Sequence, residues 1–194
     1  MAGRRAFLLG GAALLGGCFE GSIYERNEQQ RKFLDGLAKI AKPALASGNP
    51  LAVEEAVRQS LKLADSVGPF ANWTGTITRI EGNAQNVAVT IEVGPQVSLY
   101  AFNDWTLAMA GAFAQLFSTR SRETPPPGLS DPAVAALKAF RLGERVKLAG
   151  RLGEIAGSGL FDLSNLFGKS EADNRQFLQT PRFVARIEVF TASK

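Results

Sequence analysis

The sequence predicts an α+β protein in which a helical hairpin precedes a five-stranded antiparallel β-barrel with inserted helices. Apolar residues recur at helical spacing over roughly residues 22–69, and they alternate with polar residues at a period of two in five later segments. Glycine, proline and asparagine separate these segments, as expected of turns. The chain has 194 residues, 45% of them hydrophobic, and includes 13 phenylalanines, which suffices for one packed domain.

Two helices are predicted in the N-terminal third. The first covers about Ser22–Ala41, and Pro43, which lacks the backbone donor that a helix needs, and "SGNP" (Ser47–Pro50) are predicted to break it. The second begins after Asn49, a good capping residue, with Pro50 in the first turn, and Gly68 is predicted to stop it. We expect the two helices to form a hairpin that packs on the strands that follow.

Five segments alternate as half-buried strands do. They are Asn72–Glu81, Val87–Val93, Val97–Phe102, Glu144–Leu152 and Arg182–Phe190. Short turns join the first three into an antiparallel meander. Between the third and fourth strands, Trp105–Phe117 and Asp131–Phe140 are predicted helices. The segment Glu154–Pro181 is predicted to be a long loop without regular structure.

This order of elements, three meander strands, a helix and two more strands, is that of an OB-fold, a five-stranded Greek-key barrel. Two segments carry a closer resemblance: "WTGTITRI" (Trp73–Ile80) and "LKAFRLGERVKLAGRL" (Leu137–Leu152). They resemble the bacterial tRNA-anticodon-like OB domains, some of which occur in proteins of unknown function. In the first segment Gly75 would permit the strong bend that a small barrel requires. The resemblance covers roughly residues 70–190 and implies an OB-like barrel.

The first residues have the composition of an export signal. Arg4 and Arg5 precede the apolar run Ala6–Gly17, which is too short to span a bilayer. "GRRAFLL" is similar to the twin-arginine export signal, although Gly3 and Leu9 depart from its usual residues. General secretion therefore stays open as the alternative route.

Cys18 is the single cysteine of the chain and follows this run directly. "LGGC" (Leu15–Cys18) resembles the lipobox of bacterial lipoproteins, and the resemblance implies that the chain is cut before Cys18 and that a diacylglycerol is attached to it. Acylation would also account for an odd cysteine in an oxidising compartment. The predicted organisation is a cleaved signal peptide (1–17), a lipidated tether with the helical hairpin (18–69) and the OB-like barrel (70–192). We expect the mature protein to be anchored to a bacterial membrane and to face the periplasm.

Composition narrows the function. The chain has no histidine, which excludes Ser-His-Asp and Cys-His nucleophilic sites and histidine-ligated metals. Removing Arg4 and Arg5 with the signal lowers the formal charge from +4 to +2, and such an evenly mixed chain does not favour nucleic-acid binding. We therefore predict a non-enzymatic protein without a cofactor, held to the membrane through Cys18, with an envelope protein as its partner.

A ligand face on the barrel is the second hypothesis. OB-folds bind ligands on strands 2 and 3 and the neighbouring loops. Four side chains predicted to point outward would combine a stacking ring with cations: Tyr100, Lys147, Arg151 and Arg186. Such a surface would suit a carbohydrate or an oligoanion. The alternative is ordinary surface charge, neutralised by Glu92 and Glu188.

Carboxylate chemistry is the third hypothesis. Asp162, Glu171 and Asp173 lie in the predicted long loop, and paired acids there would suit a glycosidase or a weak calcium site. No recognised spacing supports either. Trp73 and Trp105 could stack on a sugar, but burial in the core is the expected role of both.

Overall fold

The computed structural model describes residues 27–82, 87–103, 128–152 and 170–193. The predicted signal with Arg4, Arg5 and Cys18, the predicted helix Trp105–Phe117, and Asp162 lie outside these residues. The described elements, in chain order, are α1 Glu28–Ser47, α2 Pro50–Val67, β1 Pro69–Gly82, β2 Val87–Gly94, β3 Val97–Phe102, α3 Asp131–Leu137, β4 Arg145–Leu152, α4 Glu171–Gln179 and β5 Arg182–Ala192.

Within the described residues, five strands form a closed barrel in the order β1-β2-β3-β5-β4. Neighbouring strands are antiparallel, except that β3 and β5 run parallel where β5 crosses over to lie between β3 and β4. The predicted α+β class and OB-like barrel are confirmed, with the refinement that the sheet is mixed. Each strand lies within three residues of its predicted bounds because alternation at a period of two marks a half-buried strand locally.

Two glycines allow barrel strands to approach each other closely. A Cβ at Gly75 of β1 would lie 2.5 Å from Ile91 Cγ2 and 2.9 Å from the Glu92 carbonyl oxygen. A Cβ at Gly150 of β4 would collide with the Arg186 carbonyl oxygen of β5, beside the irregularity between Ala149 and Gly150. Both glycines are therefore required by packing across the strands, at points where small barrels bend.

The first helix differs from its prediction at both ends. Asn27 is its N-cap, with an extended backbone and a side chain that accepts a hydrogen bond from the Gln30 N–H, so α1 starts at Glu28. It then continues through Pro43 to Ser47. The backbone acceptor that Pro43 leaves unbonded belongs to Lys39, and both residues are exposed, so water can satisfy that carbonyl. The second helix agrees with its prediction, with Asn49 as its N-cap and Pro50 in the first turn.

The predicted long loop Glu154–Pro181 contains a helix, and this part of the prediction is wrong. Helix α4 begins at a capping box in which the Ser170 Oγ accepts from the Asp173 N–H and the Asp173 carboxylate accepts from the Ser170 N–H. The helix is short and mostly polar, so its periodicity is weak. Its C-terminal half contributes Phe177 and Leu178 to the core.

One hydrophobic core runs from the helices into the barrel. Phe33 of α1 lies 5.4 Å, between ring centroids, from both Trp73 of β1 and Phe183 of β5. Phe177 of α4 meets Phe183 edge-on at 5.6 Å. The hairpin therefore packs on the strands as expected. None of the helices in the described part of the chain is long and apolar enough to cross a membrane.

A buried amide of α1 completes the hydrogen bonding of two strands. Gln30 is fully buried, and its Nε2 donates to the carbonyl oxygens of Thr74 in β1 and Val93 in β2, both at 2.7 Å. Its Oε1 accepts from the Thr74 N–H at 2.9 Å. The pairing of β1 with β2 ends at Thr76 and Glu92. Beyond that point, the Gln30 amide bonds backbone groups of β1 and β2 that the two strands no longer bond to each other.

Candidate functional site

Tyr100 lies at the centre of the face on which OB-folds bind ligands. In register, Arg79 of β1 is opposite Thr90 of β2, Thr90 is opposite Tyr100 of β3, and Tyr100 is opposite Val184 of β5. Residues opposite each other in a sheet point to the same side, so these four side chains form one row on the outside of the barrel. Thr90 and Val184 are buried, whereas the Tyr100 ring is half-buried and Arg79 is exposed.

The Tyr100 ring has an aromatic and a cationic neighbour. Phe102, nearly completely buried, has its ring centroid 5.3 Å from that of Tyr100. The guanidinium carbon of Arg182 lies 6.0 Å from the ring centroid, at the limit of a cation–π contact. Burial raises the pKa of the Tyr100 phenol above its usual range, the Glu81 carboxylate raises it further, and Arg182 and Arg79 oppose the change.

The charges on this side of the barrel are mixed. Arg79 forms an exposed ion pair with Glu81 at 2.7 Å. Glu92 of β2 lies opposite Ser98 and Thr76 and forms no ion pair with another described residue. The side around Tyr100 therefore offers a ring, two arginines and two carboxylates, which is not a strongly cationic surface.

The other predicted cations lie on β4 and β5. Arg151 and Arg186 are direct partners across these antiparallel strands, so two positive side chains stand side by side. The Arg186 Nε is buried and has no hydrogen-bond partner among the described atoms. Glu188 Oε1 approaches it to 3.6 Å, within ion-pair range but beyond a hydrogen bond. Arg151 has no ion pair with a described residue.

The four predicted ligand residues therefore do not form one site. Lys147 lies four residues from Arg151 on β4, about 13 Å along the strand, and its partners are Thr74 and Thr191. Tyr100 belongs to the β1–β2–β3 side and has Arg182 as its cation. Of the expected neutralising carboxylates, Glu188 approaches Arg186, whereas Glu92 reaches none of the three predicted cations.

Arg182 is the contact that the sequence pattern did not indicate. It is the first residue of β5 and lies opposite Ser98 of β3, which brings its side chain to the ring of Tyr100. That pairing depends on β5 crossing over to run parallel to β3. No local feature of the sequence specifies such a crossover, because it joins segments that are far apart along the chain.

The carboxylates proposed for catalysis have structural roles in the described region. Glu171 accepts a hydrogen bond from the Arg175 Nε at 2.8 Å, and Asp173 accepts from the side chain and backbone of Ser170. The latter bonds lower the pKa of the Asp173 carboxyl. The described residues contain no group of three potential metal ligands. Trp73 is fully buried, as expected, and its Nε1 donates to Gln29 Oε1 at 3.2 Å.

A concave surface lies between α1, the β2–β3 turn and the end of α4. This groove has a volume of about 270 Å³ and is open to solvent on one side. Its lining is mainly apolar and includes Leu34, Ala38, Pro95, Val97 and Leu178. It has the character of a surface that receives an apolar side chain.

The described fold and its outer faces define an OB-like barrel protein in which a helical hairpin shares the core of the barrel. Comparisons of the chain with protein-family models, with curated proteins and with solved structures find no match. The function is therefore inferred from the residues and the geometry.

Proposed function

We propose that this protein is a lipid-anchored component of the bacterial cell envelope whose OB-like barrel is a non-enzymatic binding module. The main support for this proposal is the closed OB-like barrel, a fold whose outer faces commonly bind ligands. The barrel follows a segment that resembles a lipoprotein signal. Helix α1 begins ten residues after Cys18, so the first residue of α1 would stand at most about 36 Å from an acylated cysteine.

The residues support binding more than catalysis. A chain without histidine and with its single cysteine acylated would have carboxylates, lysine, tyrosine and serine as its reactive groups. Glu171 and Asp173, the described members of the proposed acidic cluster, stabilise the start of α4. Two converging carboxylates, as a glycosidase requires, are not formed by these residues.

An envelope protein is the proposed partner, and the apolar groove supports it. The groove is open and lined mainly by apolar residues of α1, the β2–β3 turn and the end of α4, which suits an apolar side chain of another protein. Ala38 lines it from an exposed position on α1. A glutamate there would place a charge in the groove without disturbing the core.

The anchor is tested by replacing Cys18 with serine and fractionating the cells. We expect the wild-type protein in the membrane fraction with the mass of an acylated chain that begins at Cys18. We expect Cys18→Ser to appear in the soluble fraction. Membrane retention of the variant at unchanged mobility would overturn the anchor.

The partner is tested by co-purification from detergent-solubilised membranes. We expect a defined envelope protein to accompany the wild type and the control Ala46→Glu, which places the same charge on an exposed position of α1 outside the groove. We expect Ala38→Glu to lose it. Equal recovery with both variants would refute a partner bound at the groove.

Recognition of a carbohydrate or an oligoanion is the second candidate. It is favoured by the adjacent Arg151 and Arg186, whose side chains are both accessible to solvent. Titration with a sulfated oligosaccharide in a calorimeter tests it. We expect saturable binding that Arg151→Gln weakens and that Lys39→Gln, an exposed change on α1, leaves unaltered.

A further inference from the structure

The outer face of β4 and β5 concentrates positive charge. Its outward charged side chains, within the described strands and apart from Arg182, whose guanidinium lies over the Tyr100 ring, are four basic residues and one carboxylate: Arg145, Lys147, Arg151, Arg186 and Glu188. We call this surface the basic face. The β1–β2–β3 side, in contrast, has Arg79 paired with Glu81 and carries Glu92 as well. The barrel therefore has one cationic side and one of mixed charge.

Within the basic face, two arginine side chains lie next to each other, and the nearby carboxylate does not neutralise both of them. Directly opposed like charges destabilise an antiparallel pair, and Arg151 and Arg186 are such a pair. The Arg186 Nε is buried without a hydrogen-bond partner among the described atoms, and within the described part of the chain Glu188 is the one carboxylate in ion-pair range, at 3.6 Å. An external anion beside this pair would offset the repulsion between the two guanidinium groups, and the Arg186 side chain, 42% exposed, is accessible to it.

The centre of the basic face is apolar. Val189 of β5 is 47% exposed and lies opposite Ala149 of β4. This pair separates the Arg151–Arg186 pair from Lys147 and its partner Thr191. A small apolar centre between cations matches the lipid–water interface, where basic groups meet phosphates and apolar groups enter the headgroup layer.

The chain enters the described structure beside this face. Asn27, at the start of α1, donates from Nδ2 to the Ala71 carbonyl oxygen at 2.9 Å. The neighbouring Gln29 donates to the Pro69 carbonyl oxygen at 3.1 Å, and Pro69 is the direct partner of Arg151. The tether from Cys18 would therefore join the barrel about one strand away from the Arg151–Arg186 pair.

We propose that the basic face binds the anionic phosphates of the lipid surface to which the protein is anchored, with Arg151 and Arg186 as its main contacts. The inference rests on the proposed function, because the anchor supplies the membrane. Attraction to an anionic bilayer amounts to about 1 kcal/mol for each basic residue near the surface, or roughly a five-fold change in partition. The tether keeps the face within reach, and the face orients the barrel.

The test measures vesicle partition of the full chain carrying Cys18→Ser, so that it does not depend on acylation. Vesicles of phosphatidylcholine alone are compared with vesicles in which about one lipid in three is phosphatidylglycerol. The charge variant is Arg151→Gln/Arg186→Gln, and the matched control is Lys39→Gln/Lys42→Gln, two exposed positions on α1. The predicted signal peptide is present in every variant, so it contributes equally to each measured partition and does not affect the differences between variants.

We expect phosphatidylglycerol to increase partition, salt to abolish the increase, and the arginine variant to lower it roughly 20- to 30-fold, whereas the lysine control changes little. Equal losses in the two variants would overturn the proposal, because they would show a diffuse charge effect. Binding of a sulfated oligosaccharide without any preference for phosphatidylglycerol would also overturn it and would leave the second candidate function. Failure of the anchor would appear separately, in the fractionation of the Cys18 variant.

Discussion

Replacing Gln30 tests whether one buried amide joins the hairpin to the barrel. The side chain is fully buried and forms three hydrogen bonds, at 2.7, 2.7 and 2.9 Å, to the backbone of β1 and β2. A hydrogen bond contributes about 0.5–1.5 kcal/mol net, and each buried group that loses its partner costs about 1–3 kcal/mol. We therefore expect Gln30→Ala to lower the free energy of unfolding by about 3 kcal/mol or more. In a domain of this size that lowers Tm by roughly 6–12 °C.

Two further variants separate the possible causes. Gln30→Leu keeps most of the volume but cannot form the bonds, so we expect it to be at least as destabilising as Gln30→Ala. Gln59→Ala removes the same side chain from an exposed site on α2, where its bond to Glu55 faces solvent, and we expect a change below about 0.5 kcal/mol. Urea unfolding followed by circular dichroism measures all three. If Gln30→Leu unfolds within about 1 kcal/mol of the wild type, the bridging role assigned to the amide is wrong.

Three smaller predictions follow from local geometry. Gly150→Ala should lower the free energy of unfolding by about 2–3 kcal/mol in urea, because the new Cβ meets the β5 backbone; an unchanged midpoint would contradict this. Ser170→Ala should lower Tm by roughly 2–4 °C at neutral pH. Because the pKa of Asp173 is lowered in the folded state, its contribution is present above the ordinary pKa and is lost as pH falls through the folded value, so this difference in Tm should shrink in acid. Tyr100 should ionise above the usual tyrosine range in an absorbance titration, and Arg182→Gln should raise that pKa further; a fall would contradict the assigned contact.

Local pattern was sufficient for the strands but not for the helix ends. The strand predictions succeeded because a half-buried strand needs alternation at every second residue, as in Val87–Val93. The prediction for Pro43 failed because the effect of a proline depends on whether the freed carbonyl meets water, which is a property of the packed helix. Helix α4 was missed because its stability comes from a cap and from core contacts of Phe177, and both are weak signals in nine residues.

In the candidate site, too, some features followed from local sequence pattern and others only from the tertiary structure. That Tyr100, Lys147, Arg151 and Arg186 point out of the barrel followed from alternation alone. Their separation into a mixed side and a basic face did not, because it depends on the strand order.

The sequence by itself determined the order of the five strands, the helical hairpin before them and the outward positions on the strands, since each depends on residues close together in the chain. The tertiary structure decided which outward groups meet: Arg182 reaches Tyr100, Arg151 stands beside Arg186, and Gln30 bridges β1 and β2. These contacts join distant segments, and their partners are fixed by barrel closure and core packing rather than by any local preference.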